Sequence, residues 1–339
     1  MIRVGVVGVG HLGKEHARIY AGLEGATLVG VFDADGARAR EVADRHSCKA
    51  YTTPEALLDE VDAVSIAVPT PLHHKVALPF VAAGKALLVE KPLTSTLEEA
   101  DDLIAQAERS GSVLQVGHIE RFNPVVVAAT PLVRAPLFIE CDRIHPFSLR
   151  STDVSVVLDL MIHDIDLVLH FTDDEIDELD ALGTSVLSPT EDLATARLVF
   201  RGGCTAMVKT SRVAMSRSRK IRIFSERSYI SLDLVSRSGT RIYLSDTYDP
   251  SSFVDALGRI AAPEGEAAFL AQHLRSEALT IPGHDALSAE LSAFLDAAQR
   301  RVAPQVTGAH GRRAMAAAKR IEERMKFHRS RLRERQRPR

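Results

Sequence analysis

The chain has 339 residues, 45% apolar and 26% charged, with a net charge of −3. This is an ordinary composition for a soluble protein, and too long for one hydrophobic core, so two domains are expected. No apolar run approaches the roughly 18 residues that cross a bilayer, and three scattered cysteines (Cys48, Cys141, Cys204) suggest neither a disulfide framework nor a metal cluster. The first strand begins at Ile2, leaving no room for a cleavable signal, so a reducing cytoplasm is the expected compartment.

Strand-like and helix-like segments alternate from Ile2 to about Gly117. VGVVGVG predicts a strand, followed by a helix from His11 to Leu23. TLVGVFDAD with ARAREVADRH repeats the unit, and DAVSIAVPT with HHKVALPFVAAG repeats it again. ALLVEKPL is a further strand, TLEEADDLIAQAERSG a helix closing on Gly111, and VLQVGHI the last strand of the series. Continuous apolar strands between amphipathic helices predict a parallel sheet covered on both faces.

Beyond about residue 120 the pattern changes. LDLMIHDIDLVLHF is so apolar that it predicts a buried helix, and Ile176 to Ser245 reads as successive strands, with a Gly-Gly turn in LVFRGGCTAMV. ALSAELSAFLDAAQRR and GRRAMAAAKRIEERM return as helices. The expected class is α/β: a doubly wound parallel sheet over residues 1–119, then an α/β domain with a large open antiparallel sheet over 120–325. The closing helices are free to pack back on the first domain, and a basic tail occupies 326–339. From Gly311 onward there are 12 Lys and Arg against 3 Glu. Without a pattern of interleaved aromatics this predicts a solvated basic end rather than a nucleic-acid surface.

The turn after the first strand carries Gly8, Gly10 and Gly13 in the spacing G-x-G-x-x-G, with His11 and Leu12 between the last two. Gly8 permits the tight turn, Gly10 admits a pyrophosphate, and Gly13 lets the helix pack closely. Phosphate oxygens would meet the helix N-terminus, where free N–H groups favour negative charge. Asp33 ends the second strand twenty positions after Gly13, the spacing of a carboxylate on the adenosine ribose. It would repel a 2′-phosphate, so NAD is expected over NADP.

Glu90-Lys91-Pro92 follows the apolar strand ALLV, placing Lys91 at a carboxyl end, where ligands of such sheets lie. An ammonium there can stabilise negative charge developing on a substrate oxygen. Asp159 and His163, four residues apart in LDLMIHDIDL, fall on one helical face. They can equally be core or capping residues, or a general base with its orienting carboxylate. No cluster asks for a metal.

In this order the glycine turn, Pro69-Thr70-x-x-His73, EKP and D-x-x-x-H resemble the Gfo/Idh/MocA oxidoreductases, and PQVTGAHGRRAM near the end extends the likeness over nearly the whole chain. The resemblance implies a dehydrogenase acting on CH–OH groups, with Lys91, Asp159 and His163 as the catalytic set. Pro69, Thr70, His73 and Glu90 would join the turn, Asp33 and Lys91 around NAD. It also implies a homo-oligomer, dimer or tetramer, built on the open sheet. Thr70 stands where many members carry Asn.

The segment VGHIERFNP, with RIHPFS and RSTDV beyond it, is similar to a narrower branch, the UDP-N-acetylglucosamine 3-dehydrogenases. Arg121 and Asn123 follow the last strand of the series, close to where a substrate would reach, and Arg143, His145 and Arg150 would supply the donors that a UDP-sugar diphosphate needs, alongside Lys91, Asp159 and His163 as substrate contacts. The competing expectations are a dehydrogenase of a free sugar or inositol, and a non-catalytic dinucleotide-sensing regulator.

Overall fold

The computed structural model describes residues 1–147, 154–245, 248–249 and 270–335. The chain forms two compact units. The first comprises Met1–Asn123 and His284–Arg320; the second comprises Pro124–Gly283 and the residues from Ile321 onward.

The first unit is built on β1 (Ile2–Val7), β2 (Ala26–Phe32), β3 (Lys49–Tyr51), β4 (Ala63–Ile66), β5 (Ala86–Glu90) and β6 (Leu114–Gly117). All pair in parallel, in the order β3-β2-β1-β4-β5-β6. The chain moves outward from β1 to β3, then returns to the other side of β1 with β4. This reversal opens a crevice beyond the carboxyl ends of β1 and β4, the place where such sheets take ligands. β3 is a strand that the hydrophobic pattern did not predict.

Between the strands lie α1 (Gly13–Gly22), α2 (Gly36–Arg45), α3 (His73–Ala82) and α4 (Leu97–Ser110). α4 shows how local sequence sets the bounds: the Thr96 hydroxyl accepts the Glu99 N–H at 3.1 Å, and Glu99 accepts the Thr96 N–H at 3.2 Å. Gly111 closes the helix at φ 68°, a left-handed position that glycine tolerates best. The central strands are apolar throughout, and Leu87, Leu88 and Val89 are fully buried. Each such side chain contributes about 1.5–3 kcal/mol of burial.

Two C-terminal helices, α7 (Ala286–Arg300) and α8 (Gly308–Arg335), follow. Leu291, Phe294, Leu295 and Ala297 of α7 join Ala17, Ile19 and Tyr20 of α1 in one apolar cluster. At Gly308 and Gly311 an added Cβ would lie 2.8 Å from Ile104 and 2.7 Å from Val116, so the start of α8 seats against α4 and β6.

The second unit holds an eight-stranded sheet. Its strands are β7 (Phe138–Ile144), β8 (Ile176–Thr184), β9 (Leu193–Phe200), β10 (Thr205–Ser211), β11 (Ser218–Ser225), β12 (Ser228–Asp233), β13 (Ser238–Leu244) and β14 (Leu274–Ala278). The order is β14-β13-β12-β11-β7-β10-β9-β8, antiparallel except for the β7–β10 pair. Gly202 and Gly203 turn β9 into β10, as expected, with Gly203 at φ 94°. The strongly apolar segment begins as a π-helical turn, Val157–Met161, and continues as α6 (Ile162–Thr172), packing on β7 and β10. A short α5 (Pro124–Ala129) opens this unit. The face of the sheet away from α6 carries ion pairs, Arg222 with Glu140 at 3.0 Å and Lys209 with Asp142 at 2.6 Å.

Candidate active site

The expected site residues divide between the two units, Gly8 through Asn123 in the first and Arg143 through His163 in the second. In the first, Gly8 follows β1 at φ +88°, where a Cβ would sit 2.8 Å from the backbone of Ala67 and Val68. At Gly13 a Cβ would strike the Gly8 carbonyl oxygen, whereas at Gly10 it would meet nothing within 4 Å. Two glycines therefore close the turn, and the third faces open space where a pyrophosphate can approach. No side chain caps the N-terminus of α1, and His11 and Leu12 are exposed beside it. Asp33 accepts the Val9 N–H at 2.8 Å through Oδ2 and the Asp35 N–H at 2.9 Å through Oδ1. The carboxylate is thereby fixed against the glycine turn. This cradle fits a dinucleotide, with the turn for the pyrophosphate and Asp33 for the ribose.

The segments after β4, β5 and β6 reach the same sheet edge. Pro69 and Thr70 open the turn before α3 and are at least partly accessible. His73 is not open to a ligand as expected: it is 1% exposed, and its Nδ1 and Nε2 face the carbonyls of Pro92 at 2.9 Å and Val68 at 2.8 Å. It ties the loop after β4 to the EKP segment. Lys91 is half-buried at the end of β5, but the Glu90 carboxylate turns inward, 7% exposed and 3.3 Å from His16. That burial leaves the Glu90 carboxylate little open to a ligand, contrary to the expected cofactor contact. Arg121 and Asn123 lie beyond β6, 4% and 8% exposed, and Asn123 Nδ2 donates to Glu120 at 3.0 Å.

In the second unit Asp159 sits in the π turn and His163 is the second residue of α6, both half-buried while Ile162, Asp164, Ile165 and Asp166 are buried. Such turns recur at functional sites. Arg143 departs from its expected role: on β7 and 2% exposed, it donates to Asp164 through Nε at 2.7 Å and Nη2 at 2.9 Å. A guanidinium held bidentate in the core is not an open donor for a diphosphate. His145 donates from Nδ1 to the Pro146 carbonyl at 2.7 Å, and its Nε2 lies 3.0 Å from Arg217. Arg150 lies outside the described residues. Asp164 escaped the sequence reading, although the run HDID signals it: an acid inside an apolar helix demands a partner.

Among the described residues no group of His, Cys, Asp and Glu could hold a metal, and no helix is long and apolar enough to cross a membrane. The basic C-terminal helix is partly neutralised within its own unit, Arg324 on Asp180 at 2.8 Å and Arg329 on Glu191.

A doubly wound sheet with a dinucleotide turn and a large mixed sheet after it define a class. Residues 2–118 match the oxidoreductase family with an NAD-binding Rossmann fold, and residues 143–231 match the GFO/IDH/MocA C-terminal domain. The chain belongs to the Gfo/Idh/MocA oxidoreductases, with NAD as cofactor. It is 38% identical to the UDP-N-acetylglucosamine 3-dehydrogenase of Acidithiobacillus ferrooxidans, over 94% of this chain and 95% of that one. A solved structure of that enzyme superposes with a TM-score of 0.85, covering 95% of this chain and 97% of the other at 37% identity. The inositol 2-dehydrogenase of Rubrobacter xylanophilus is 33% identical over 63% of this chain and 65% of its own. Levoglucosan dehydrogenase in complex with NADH shares the fold, with a TM-score of 0.81 at 18% identity, over 96% of this chain and 97% of its own.

Proposed function

We propose that this enzyme oxidises UDP-N-acetylglucosamine at C3, leaving a 3-keto sugar. The observation that carries the reading is the near full-length similarity to an enzyme of that name. The inositol dehydrogenases, matched over about two thirds of the chain, support the second reading, a cyclitol or free sugar.

NAD, when bound, supplies the hydride acceptor. Lys91 would donate a hydrogen bond from its ammonium to the reacting oxygen, holding negative charge as it develops. His163 would accept the hydroxyl proton, and Asp159 would orient the imidazole or the sugar hydroxyls. Arg121 and Asn123, 4% and 8% exposed, are nearly as enclosed as Arg143, so His145 and Arg150 remain the proposed contacts to the nucleotide end. A homo-oligomer is proposed on the outer face of the eight-stranded sheet, and a cytoplasmic location fits a soluble dehydrogenase. Purified enzyme with NAD and UDP-N-acetylglucosamine should gain absorbance at the reduced-nicotinamide band. No gain there, with a gain on myo-inositol, would establish the second reading instead.

A further inference from the structure

α1 buries Gly13, His16, Ala17, Ile19 and Tyr20. His16 is fully buried, its Nε2 is 3.3 Å from Glu90 Oε1, and neither of its ring nitrogens has a hydrogen-bond partner among the described residues. The contact is therefore one of proximity rather than of an aligned hydrogen bond. The other carboxylate oxygen, Glu90 Oε2, accepts the backbone N–H of Lys91 at 3.3 Å. Across the sheet, Gly117 of β6 pairs with Glu90 in register. A Cβ on Gly117 would lie 2.8 Å from Oε1 and 2.9 Å from Cδ and Oε2. The carboxylate thus occupies a space left by a missing side chain, with an imidazole of the cofactor helix 3.3 Å from the same Oε1. Burying an imidazole against a carboxylate is unfavourable where an apolar side chain would pack. Three separate elements nevertheless supply the arrangement, and it touches the residue on which the chemistry turns.

We propose that His16, Glu90 and Gly117 are positioning residues for Lys91. Together they fix the backbone from which the lysine side chain departs and tie that backbone to the helix beneath the cofactor. The inference rests on the reading of Lys91 as the group that holds the reacting oxygen. A displacement near 1 Å at such a group lowers turnover by about 10²-fold.

His16→Gln, Glu90→Gln and Gly117→Ala test this, each made alone and in a Lys91→Met background. Turnover is followed with whichever of UDP-N-acetylglucosamine and myo-inositol the enzyme oxidises, and NAD affinity by isothermal titration calorimetry. Each single variant should lower kcat about tenfold or more while the NAD dissociation constant changes less than about threefold. In the Lys91→Met background each should add less than about threefold, because its effect runs through the lysine. Glu90→Asp should recover part of the loss. Single variants with unchanged kcat, or losses that multiply fully in the Lys91→Met background, would overturn the proposal. Undiminished turnover in Lys91→Met alone would instead overturn the reading of the lysine, and this inference with it. Should His16→Gln fail to fold, Glu90→Gln and Gly117→Ala carry the same comparison.

Discussion

Around His163 the neighbours Ile162, Asp164, Ile165 and Asp166 are all buried, while the histidine itself keeps partial access. A general base needs that combination: a fixed helix and a ring that a substrate can reach. His163→Asn and Lys91→Met should each lower kcat by about 10²–10⁴-fold with NAD binding retained, as single-turnover and equilibrium titrations would reveal. Asp33 makes a second test. Asp33→Asn should weaken NAD binding and narrow the preference over NADP, measured as the ratio of kcat/KM for the two cofactors. The glycine turn and the carboxylate beside it were legible as sequence because each is a local pattern; the roles of Lys91 and of the D-x-x-x-H pair are proposals. The inward turn of Glu90 and the pairing of Arg143 were not legible. Both depend on which residue faces them from another element, and sequence order does not state that.

At the scale of elements, the Arg143–Asp164 pair fastens α6 to the central strand of its sheet, next to the residue proposed as base. Arg143→Met should cost about 3–5 kcal/mol by leaving a buried carboxylate unmatched, seen in denaturant midpoints. Arg143→Met with Asp164→Leu should recover most of that loss. If Arg143 instead contacted substrate, KM would rise with stability unchanged. The Thr96 cap predicts a smaller effect, about 1 kcal/mol for Thr96→Ala. Continuous apolar runs in the first unit and alternating patterns in the second revealed most strands, but β3, β7 and β14 went unread. β3 spans 3 residues, too few for a period to register. β7 lies outside the meander and pairs in parallel with β10, Phe138 opposite Thr205, a long-range match with no local signal. The π turn likewise breaks the 3.6-residue period that a helical reading assumes.

At the scale of the whole molecule, one source of acid sensitivity is Asp192 in the second unit. Burial works to raise the Asp192 carboxyl, but hydrogen bonds from Ser188 and from the amides of Leu187, Ser188 and Val186 outweigh it and hold it well below the usual carboxylate range. A carboxyl depressed on folding stabilises the native state above its unfolded value, about pH 4, and that stability is lost as pH falls through the folded value. Thermal midpoints should therefore decline below about pH 4, and Asp192→Asn should flatten that limb while lowering the midpoint at neutral pH. The two-domain plan was visible as a change from alternating strands and helices to a meander. The return of α7 to α1 was allowed by their apolar faces, yet only the three-dimensional packing of Phe294 and Leu291 beside Tyr20 specifies it.

That return has a consequence for biosynthesis. The dinucleotide unit draws its last segment from residues 284–320, so a nascent chain leaves the ribosome with α1 uncovered until that segment has been made. A fragment ending at residue 123 would keep every part of the NAD cradle and still present Ile19 and Tyr20 to water. Its expected fate is aggregation, and supplying residues 284–320 through a short linker should return it to solution.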